Sequence, residues 1–112
     1  MNIDDMGHKH GGESMQYEGA VRMADGALAT LVPLWRSQGY QVLVTSDHGM
    51  NATGQHGGTE PEERNVPLYV FGKSPIPSSV LENSRALSQL NLALLMCHYL
   101  GIEPSEAMLK WD

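Results

Sequence analysis

Apolar residues recur with a helical period in the first third of the chain. Between about residues 15 and 38, valine, alanine, leucine and tryptophan lie three or four positions apart, which predicts one amphipathic helix. Ser14 is suited to cap the start of this helix, and Gly39 to end it. Pro33 lies inside the segment and lacks a backbone donor, so we expect a kink there or a last turn that starts anew.

Two short apolar runs predict strands. Residues 42–44 are a continuous run of Val, Leu and Val, a pattern typical of strands covered on both faces, as in a parallel sheet. Residues 66–72 form the second run, where Pro67 must lie at the start of the strand or on a sheet edge. The polar segment 47–65 between them is predicted to be a loop, in which the letters TEPE fit a single turn with a capping box.

A second helix is predicted from about residue 84 to 100, because leucine, methionine and cysteine cover much of its circumference. Gly101 should end this helix, and Pro104 prevents its continuation. Helices that alternate with apolar strands indicate an α/β fold. Two strands make a poor sheet by themselves, and the chain opens directly on a polar cluster, so we expect residues 1–112 to be part of a longer domain.

Composition narrows the classes of function. The chain has 112 residues, of which 41% are hydrophobic, and a net charge of −6. This acidic balance argues against a nucleic-acid duplex or an anionic membrane as partner, but not against a phosphate ester, because bound divalent cations can reverse the local charge. The single Cys97 excludes an internal disulfide and favours a reducing compartment such as the cytoplasm. No apolar run approaches the roughly 20 residues that a membrane-spanning helix needs.

Histidines mark the segments that could carry chemistry. Four of the five fall in glycine-rich loops with carboxylates nearby, namely His8, His10, His48 and His56. Asp4 and His8 are four positions apart, and Gly7 would allow a tight turn with positive φ that brings the two side chains together. Asp47 and His48 follow the first predicted strand, at the end where ligands bind in open α/β sheets.

Carboxylate oxygens and imidazole nitrogens together suit Zn²⁺, Mn²⁺ and related ions. A lone histidine in a polar loop is usually only solvated, but the coincidence of the Asp4, Asp47 and His56 segments favours metal binding. We interpret Lys9 and His10 as solvated loop residues. Asn51 and Thr53 are predicted to be turn formers that hold the loop leading to His56.

The motifs DDMGH, VTSDHGM and GQHGG, followed by NVPLYVFG, resemble the C-terminal half of the alkaline phosphatase superfamily. Within it, the chain is most similar to the type I phosphodiesterase / nucleotide pyrophosphatase family, whose last helix the tail SQLNLALLMCHYLGIEP also resembles. The resemblance implies a three-layer α/β/α sandwich of the alkaline-phosphatase type. It also implies two divalent metal ions, usually zinc, that act on phosphodiester or pyrophosphate bonds.

The same resemblance assigns the metal ligands. Asp4, His8 and His56 would bind the first ion, and Asp47 and His48 would bind the second. The implied reaction is metal-dependent hydrolysis in which a serine or threonine attacks phosphorus. In the family, that nucleophile and a sixth ligand come from the N-terminal half.

This chain offers no evident replacement for the nucleophile. The hydroxyl residues near the motifs are Ser14, Thr45, Ser46, Thr53 and Thr59. None follows an aspartate in the family's arrangement of a strand leading into a helix. We therefore expect a C-terminal fragment that is inactive alone and self-associates through exposed strand edges.

Enzymes with other functions share these motifs. Cofactor-independent phosphoglycerate mutases, phosphopentomutases and phosphoethanolamine transferases of the glycolipid-anchor type are similar in sequence, and the spacing from His48 to His56 resembles the last of these. A nucleotide or another phosphodiester is the expected substrate. A non-catalytic metal-binding or interaction module that reuses this half of the fold is the alternative from a different class.

Overall fold

A computed structural model describes residues 2–78 and 87–108. Its elements are α1 (Ile3–His10), α2 (Met15–Ser37), β1 (Val42–Thr45), α3 (Pro61–Arg64), β2 (Leu68–Phe71), a 3₁₀ helix (Gln89–Asn91) and α4 (Leu92–Leu100). Helices combined with a small sheet are consistent with the predicted α/β fold. Of the second predicted helix, residues 84–86 lie outside the described residues, residues 87 and 88 are not helical, and the α-helix begins only at Leu92.

The polar start of the chain is a helix, so the prediction of a loop there was wrong. Asn2 caps α1, because its side-chain oxygen accepts a hydrogen bond from the Asp4 amide at 2.9 Å. Gly7 has no positive φ, and its role is steric. A Cβ at Gly7 would lie 2.6 Å from Cε of the buried Met50, so glycine lets α1 pack closely against the rest of the chain.

The first predicted helix is confirmed as α2. The Ser14 hydroxyl caps it by accepting from the Tyr17 amide at 3.1 Å. Gly39 follows the last turn with a φ of +89°, which a glycine adopts readily. Pro33 lies within an unbroken helix, so the last turn does not start anew there.

The two predicted strands exist, but they pair antiparallel, so the parallel prediction was wrong for this pair. Val42 lies opposite Phe71, and Thr45 opposite Leu68. An apolar run indicates that a strand is buried, but it does not indicate whether the strand pairs parallel or antiparallel with its neighbour. The link between the strands contains no helix longer than the four-residue α3, whereas a parallel crossover usually uses a long helix.

The predicted capping box before α3 does not form. The cap residue is Glu60 rather than Thr59, it makes no side-chain capping bond, and Pro61 begins the helix. Proline suits this first position because its missing donor would be unsatisfied there anyway. At the other end of the chain, Gly101 ends α4 in the left-handed conformation, with a φ of +68°, as predicted.

The buried apolar residues belong to α2, β1, α4 and the loop after β1. They are Ala20, Val32, Val42, Met50, Leu94, Leu95 and Cys97. Cys97 is a buried free thiol. Several large apolar side chains of α2 stay exposed, including Met23 and Leu34. Within residues 2–78 and 87–108, no helix combines the length and apolar character needed to cross a membrane.

Candidate metal centre

Glycines let α1 contact the loop after β1 backbone to backbone. A Cβ at Gly11 would collide with the Ala52 carbonyl oxygen, and one at Gly54 would lie 2.5 Å from the Gly7 carbonyl oxygen. Both glycines also have positive φ, near +85° to +89°. This close approach brings the side chains of α1 to those of the loop.

Asn51 organises that loop. Its side-chain oxygen accepts hydrogen bonds from the Thr53 amide at 3.1 Å, the Thr53 hydroxyl at 2.8 Å and the Gln55 amide at 2.9 Å. The backbone N–H of Asn51 in turn donates to the backbone carbonyl of Gln55 at 3.0 Å. The prediction that Asn51 and Thr53 are turn formers is therefore confirmed, and their turn carries the chain to His56.

The segment directly after β1 is held by its own side chains. The Ser46 hydroxyl donates to the His48 carbonyl at 2.6 Å, and the His48 amide donates to Asp47 Oδ1 at 3.0 Å. The Gly49 amide donates to the Glu63 carbonyl at 2.8 Å. These bonds set the directions in which the side chains of Asp47 and His48 leave the backbone.

All five residues predicted to bind metal lie in one cluster. Asp4 Oδ1 is 3.4 Å from Nε2 of His8 and 3.5 Å from Nε2 of His48. Nε2 of His56 lies 4.0 Å from the same oxygen and 3.1 Å from Nε2 of His8. Asp47 Oδ1 is 3.7 Å from Nε2 of His48, but the Asp47 side chain is 89% exposed and stands at the rim.

Hydrogen bonds determine which ring nitrogens can bind a cation. Nδ1 of His8 donates to the Gly54 carbonyl, and Nδ1 of His48 donates to the Gly49 carbonyl, both at 2.8 Å. A carbonyl can only accept, so in each neutral ring the proton is on Nδ1 and Nε2 carries a lone pair. The His48 and His56 rings stack at 3.8 Å, which orients the third imidazole.

The Asp4 carboxylate is left with an unsatisfied oxygen. Oδ1 of Asp4 is buried and has no hydrogen-bond partner among the described residues. The facing Nε2 atoms of His8 and His48 carry lone pairs and cannot donate to it in the neutral tautomer. Asp4, His48 and His56 offer one ligand atom each within 4.8 Å of one another, a spacing that could hold a metal ion. Electron-pair donors that face one another at this distance are an arrangement that a cation stabilises.

Other histidines lie outside the cluster. His10 is exposed at the end of α1, as expected for a solvated residue, although it belongs to a helix. His98 packs edge-on against Tyr99 on α4. Burial raises the pKa of the Tyr99 hydroxyl above its usual value.

The sequence patterns missed one residue near the cluster. Gln89 Nε2 donates to the carbonyls of Ser46 and Asp47, at 2.9 and 2.8 Å. More than 40 positions separate Gln89 from these carbonyls, so no local motif could have indicated the contact.

Comparison with known proteins places the cluster in a family. The sequence profile of the type I phosphodiesterase / nucleotide pyrophosphatase family matches residues 1–64, which include all five cluster residues. No solved structure matches the chain.

Among individual proteins, the chain is similar to GPI ethanolamine phosphate transferases. It is 27% identical over 103 residues to the catalytic subunit of GPI ethanolamine phosphate transferase 3 from Homo sapiens, covering 91% of this chain and 9% of that protein. It is 27% identical over 124 residues to GPI ethanolamine phosphate transferase 1 from Mus musculus, covering 91% and 13%. With GPI ethanolamine phosphate transferase 3 from Eremothecium gossypii it shares 31% identity over 75 residues, covering 67% and 7%.

The chain thus spans about a tenth of the length of the curated relatives that it matches. The family match covers more than half of the chain, and these relatives fit the same alkaline phosphatase superfamily. This chain belongs to the type I phosphodiesterase / nucleotide pyrophosphatase family.

Proposed function

We propose that Asp4, His8, Asp47, His48 and His56 bind divalent metal ions, and that the protein uses these ions in a reaction at a phosphate ester. The observation that supports this most directly is the buried Asp4 Oδ1, which has no hydrogen-bond partner among the described residues. Three imidazole Nε2 atoms lie within 4.0 Å of it. Cations bound at this cluster would satisfy the oxygen and the ring nitrogens that coordinate them.

Zinc is the ion that the donor set fits best. Zinc–ligand bonds to imidazole and carboxylate are about 2.0–2.2 Å long, so neighbouring ligands of a tetrahedral ion lie about 3.3–3.5 Å apart. The 3.4 Å between Asp4 and His8 and the 3.1 Å between His8 and His56 are close to this spacing, whereas the 4.0 Å between Asp4 and His56 is longer. Manganese accepts the same ligand types and is the second choice.

The family resemblance divides the cluster between two ions. Asp4, His8 and His56 would hold the first, whereas Asp47 and His48 would hold the second. Among the described residues, the second ion would have only these two ligands. We therefore expect tight binding at the first position and weak binding at the second.

The chemistry also needs a nucleophile. A divalent ion supplies Lewis-acid polarisation of a phosphoryl oxygen and lowers the pKa of an attacking hydroxyl. Hydroxyls near the cluster already donate elsewhere: Thr45 to the Pro67 carbonyl, Ser46 to the His48 carbonyl and Thr53 to Asn51. We propose that the nucleophile comes from a part of the protein outside this chain, and that β1 and β2 belong to a larger α/β/α sandwich with that part.

Transfer of phosphoethanolamine is the reaction that the relatives favour. The human and mouse relatives align with 91% of this chain and are GPI ethanolamine phosphate transferases. In such a transfer, the phosphate ester bond to the donor is cleaved and the ethanolamine phosphate group passes to an acceptor hydroxyl. Hydrolysis of a nucleotide or another phosphodiester is the second candidate, and the family match supports it.

Metal titration tests the proposed site. Calorimetry with Zn²⁺ should show binding to the wild-type chain. His56→Ala should lower the affinity by more than the roughly 10–100-fold that loss of a supporting hydrogen bond costs, because a ligand is removed. His10→Ala is the matched control, since His10 lies on the same helix as His8 but outside the cluster. Equal affinities for wild type and His56→Ala would overturn the proposed site.

A separate assay tests the origin of the nucleophile. The zinc-loaded chain should not hydrolyse a nitrophenyl phosphodiester faster than zinc alone. Hydrolysis by the chain that His56→Ala abolishes would show that the chain holds a nucleophile of its own. In the longer protein, His56→Ala should abolish phosphoethanolamine transfer, while His10→Ala should leave it intact.

A further inference from the structure

Among the described residues, the segment that leaves β1 has no partner strand. The ladder between β1 and β2 ends at the pair Thr45 and Leu68. Backbone carbonyls beyond this point need other hydrogen-bond donors. Side chains provide them in order: Gln89 binds the carbonyls of Ser46 and Asp47, the Ser46 hydroxyl binds that of His48, and Nδ1 of His48 binds that of Gly49.

Gln89 makes the two long-range contacts in this series. Its Nε2 lies 2.9 Å from the Ser46 oxygen and 2.8 Å from the Asp47 oxygen, so both amide hydrogens have an acceptor. These carbonyls belong to the peptide units on either side of the Asp47 Cα. Fixing both units fixes the direction of the Asp47 side chain and the backbone position from which His48 reaches Asp4.

Gln89 is itself well anchored. The Ser88 hydroxyl accepts from the Leu90 amide at 3.2 Å, and the Asn91 side chain accepts from the Ser88 amide at 3.3 Å, which completes a capping box. The following helix, α4, buries Leu95 completely. Gln89 is exposed, but its backbone belongs to this capped 3₁₀ turn, which leads directly into α4.

We infer that Gln89 is a positioning residue for Asp47 and His48, and that through it α4 supports one half of the candidate metal centre. The expected effect of Gln89 on metal affinity rests on the proposed function, whereas its effect on the backbone after β1 does not. Asp47 depends most on this support, because its exposed side chain contacts only His48 in the cluster.

The variant Gln89→Met tests this inference, because methionine has a similar length but no donor. Gln41→Met is the matched control. Gln41 Nε2 donates to the Ser74 carbonyl at 2.9 Å, a comparable amide contact at the opposite end of β1. Gln89→Asn retains the amide but withdraws it by one methylene, and replaces Gln89→Met if that variant does not fold.

Two measurements separate positioning from general stability. In the metal-free chain, hydrogen exchange at the His48 and Gly49 amides should be faster in Gln89→Met than in wild type and Gln41→Met. With Co²⁺ as a spectroscopic probe, Gln89→Met should bind roughly 10-fold or more weakly and show an altered d–d absorption band. Gln41→Met should retain the wild-type affinity and band.

The possible failures are distinguishable. Unchanged exchange at His48 and Gly49 in metal-free Gln89→Met would overturn the positioning role, whatever the behaviour with cobalt. An equal loss of cobalt affinity in Gln89→Met and Gln41→Met would also overturn it, since the effect would then be general. A wild-type chain that binds no cobalt would overturn the proposed function, while the exchange result would still decide the role of Gln89.

Discussion

Nε2 of His8 and Nε2 of His56 lie 3.1 Å apart, although 48 positions separate the two residues in the chain. Each histidine belongs to a different packing unit, since His8 lies on α1 and His56 follows the turn organised by Asn51. Their rings meet at the same buried carboxylate oxygen of Asp4. A cation at this point would connect the two units, so metal binding should stabilise the fold as a whole.

Zinc should therefore raise the stability of the chain. A ligand that binds only the folded state at 100 times its Kd adds about 2.7 kcal/mol to the free energy of unfolding. Thermal unfolding followed by circular dichroism, with and without Zn²⁺, measures this shift. A chelator should reverse it, and Ca²⁺ should have little effect because it prefers sites made of oxygen ligands. An equal shift with both ions would contradict a site built on imidazoles.

Gly7→Ala should destabilise the chain, although alanine is the better helix former. The added Cβ would lie 2.6 and 2.9 Å from two atoms of the buried Met50, and such overpacking costs about 1–3 kcal/mol. Gly19→Ala on α2 is the control, because nothing lies within 4 Å of that position. It should stabilise by roughly 0.5–1 kcal/mol. Urea unfolding measures both, and a stabilising Gly7→Ala would contradict the close packing of α1.

Asn51→Ala should loosen the turn before His56. The substitution removes the one acceptor of three hydrogen bonds and should cost about 1–3 kcal/mol in unfolding free energy. Zinc affinity should fall with it, because His56 is no longer held in place. Asn51→Asp is the matched control, since a carboxylate oxygen can accept the same bonds. If alanine and aspartate at this position behaved alike in calorimetry, the oxygen would not be the organising group.

The isolated chain should self-associate. Each strand of the two-stranded sheet has one edge without a partner among the described residues, and exposed apolar residues lie on α2. Unpaired edges and apolar patches both favour association. Sedimentation velocity at micromolar concentration should show oligomers. Tyr69→Lys places a charge on the exposed side of β2 and should reduce them. A monomeric wild type would rule out this prediction.

Local patterns in the sequence were sufficient for several elements. The bounds of α2 follow from the cap at Ser14 and the glycine at position 39, both of which act on the nearest turn alone. Both strands lie where apolar runs predicted them. The motifs that contain Asp4, His48 and His56 were enough to indicate the family, because their order and spacing are visible in one dimension.

Only the tertiary structure decided how these parts meet. The antiparallel pairing of β1 and β2 depends on the path of the chain, which an apolar run leaves open. The sequence predicted Gly7 to be a turn residue. Its actual constraint is the side chain of Met50, 43 positions away, and no local sequence pattern contains that contact. The contact of Gln89 with the segment after β1 is equally non-local. The sequence by itself determined which donor atoms exist, whereas close backbone packing decided that their lone pairs converge on one point.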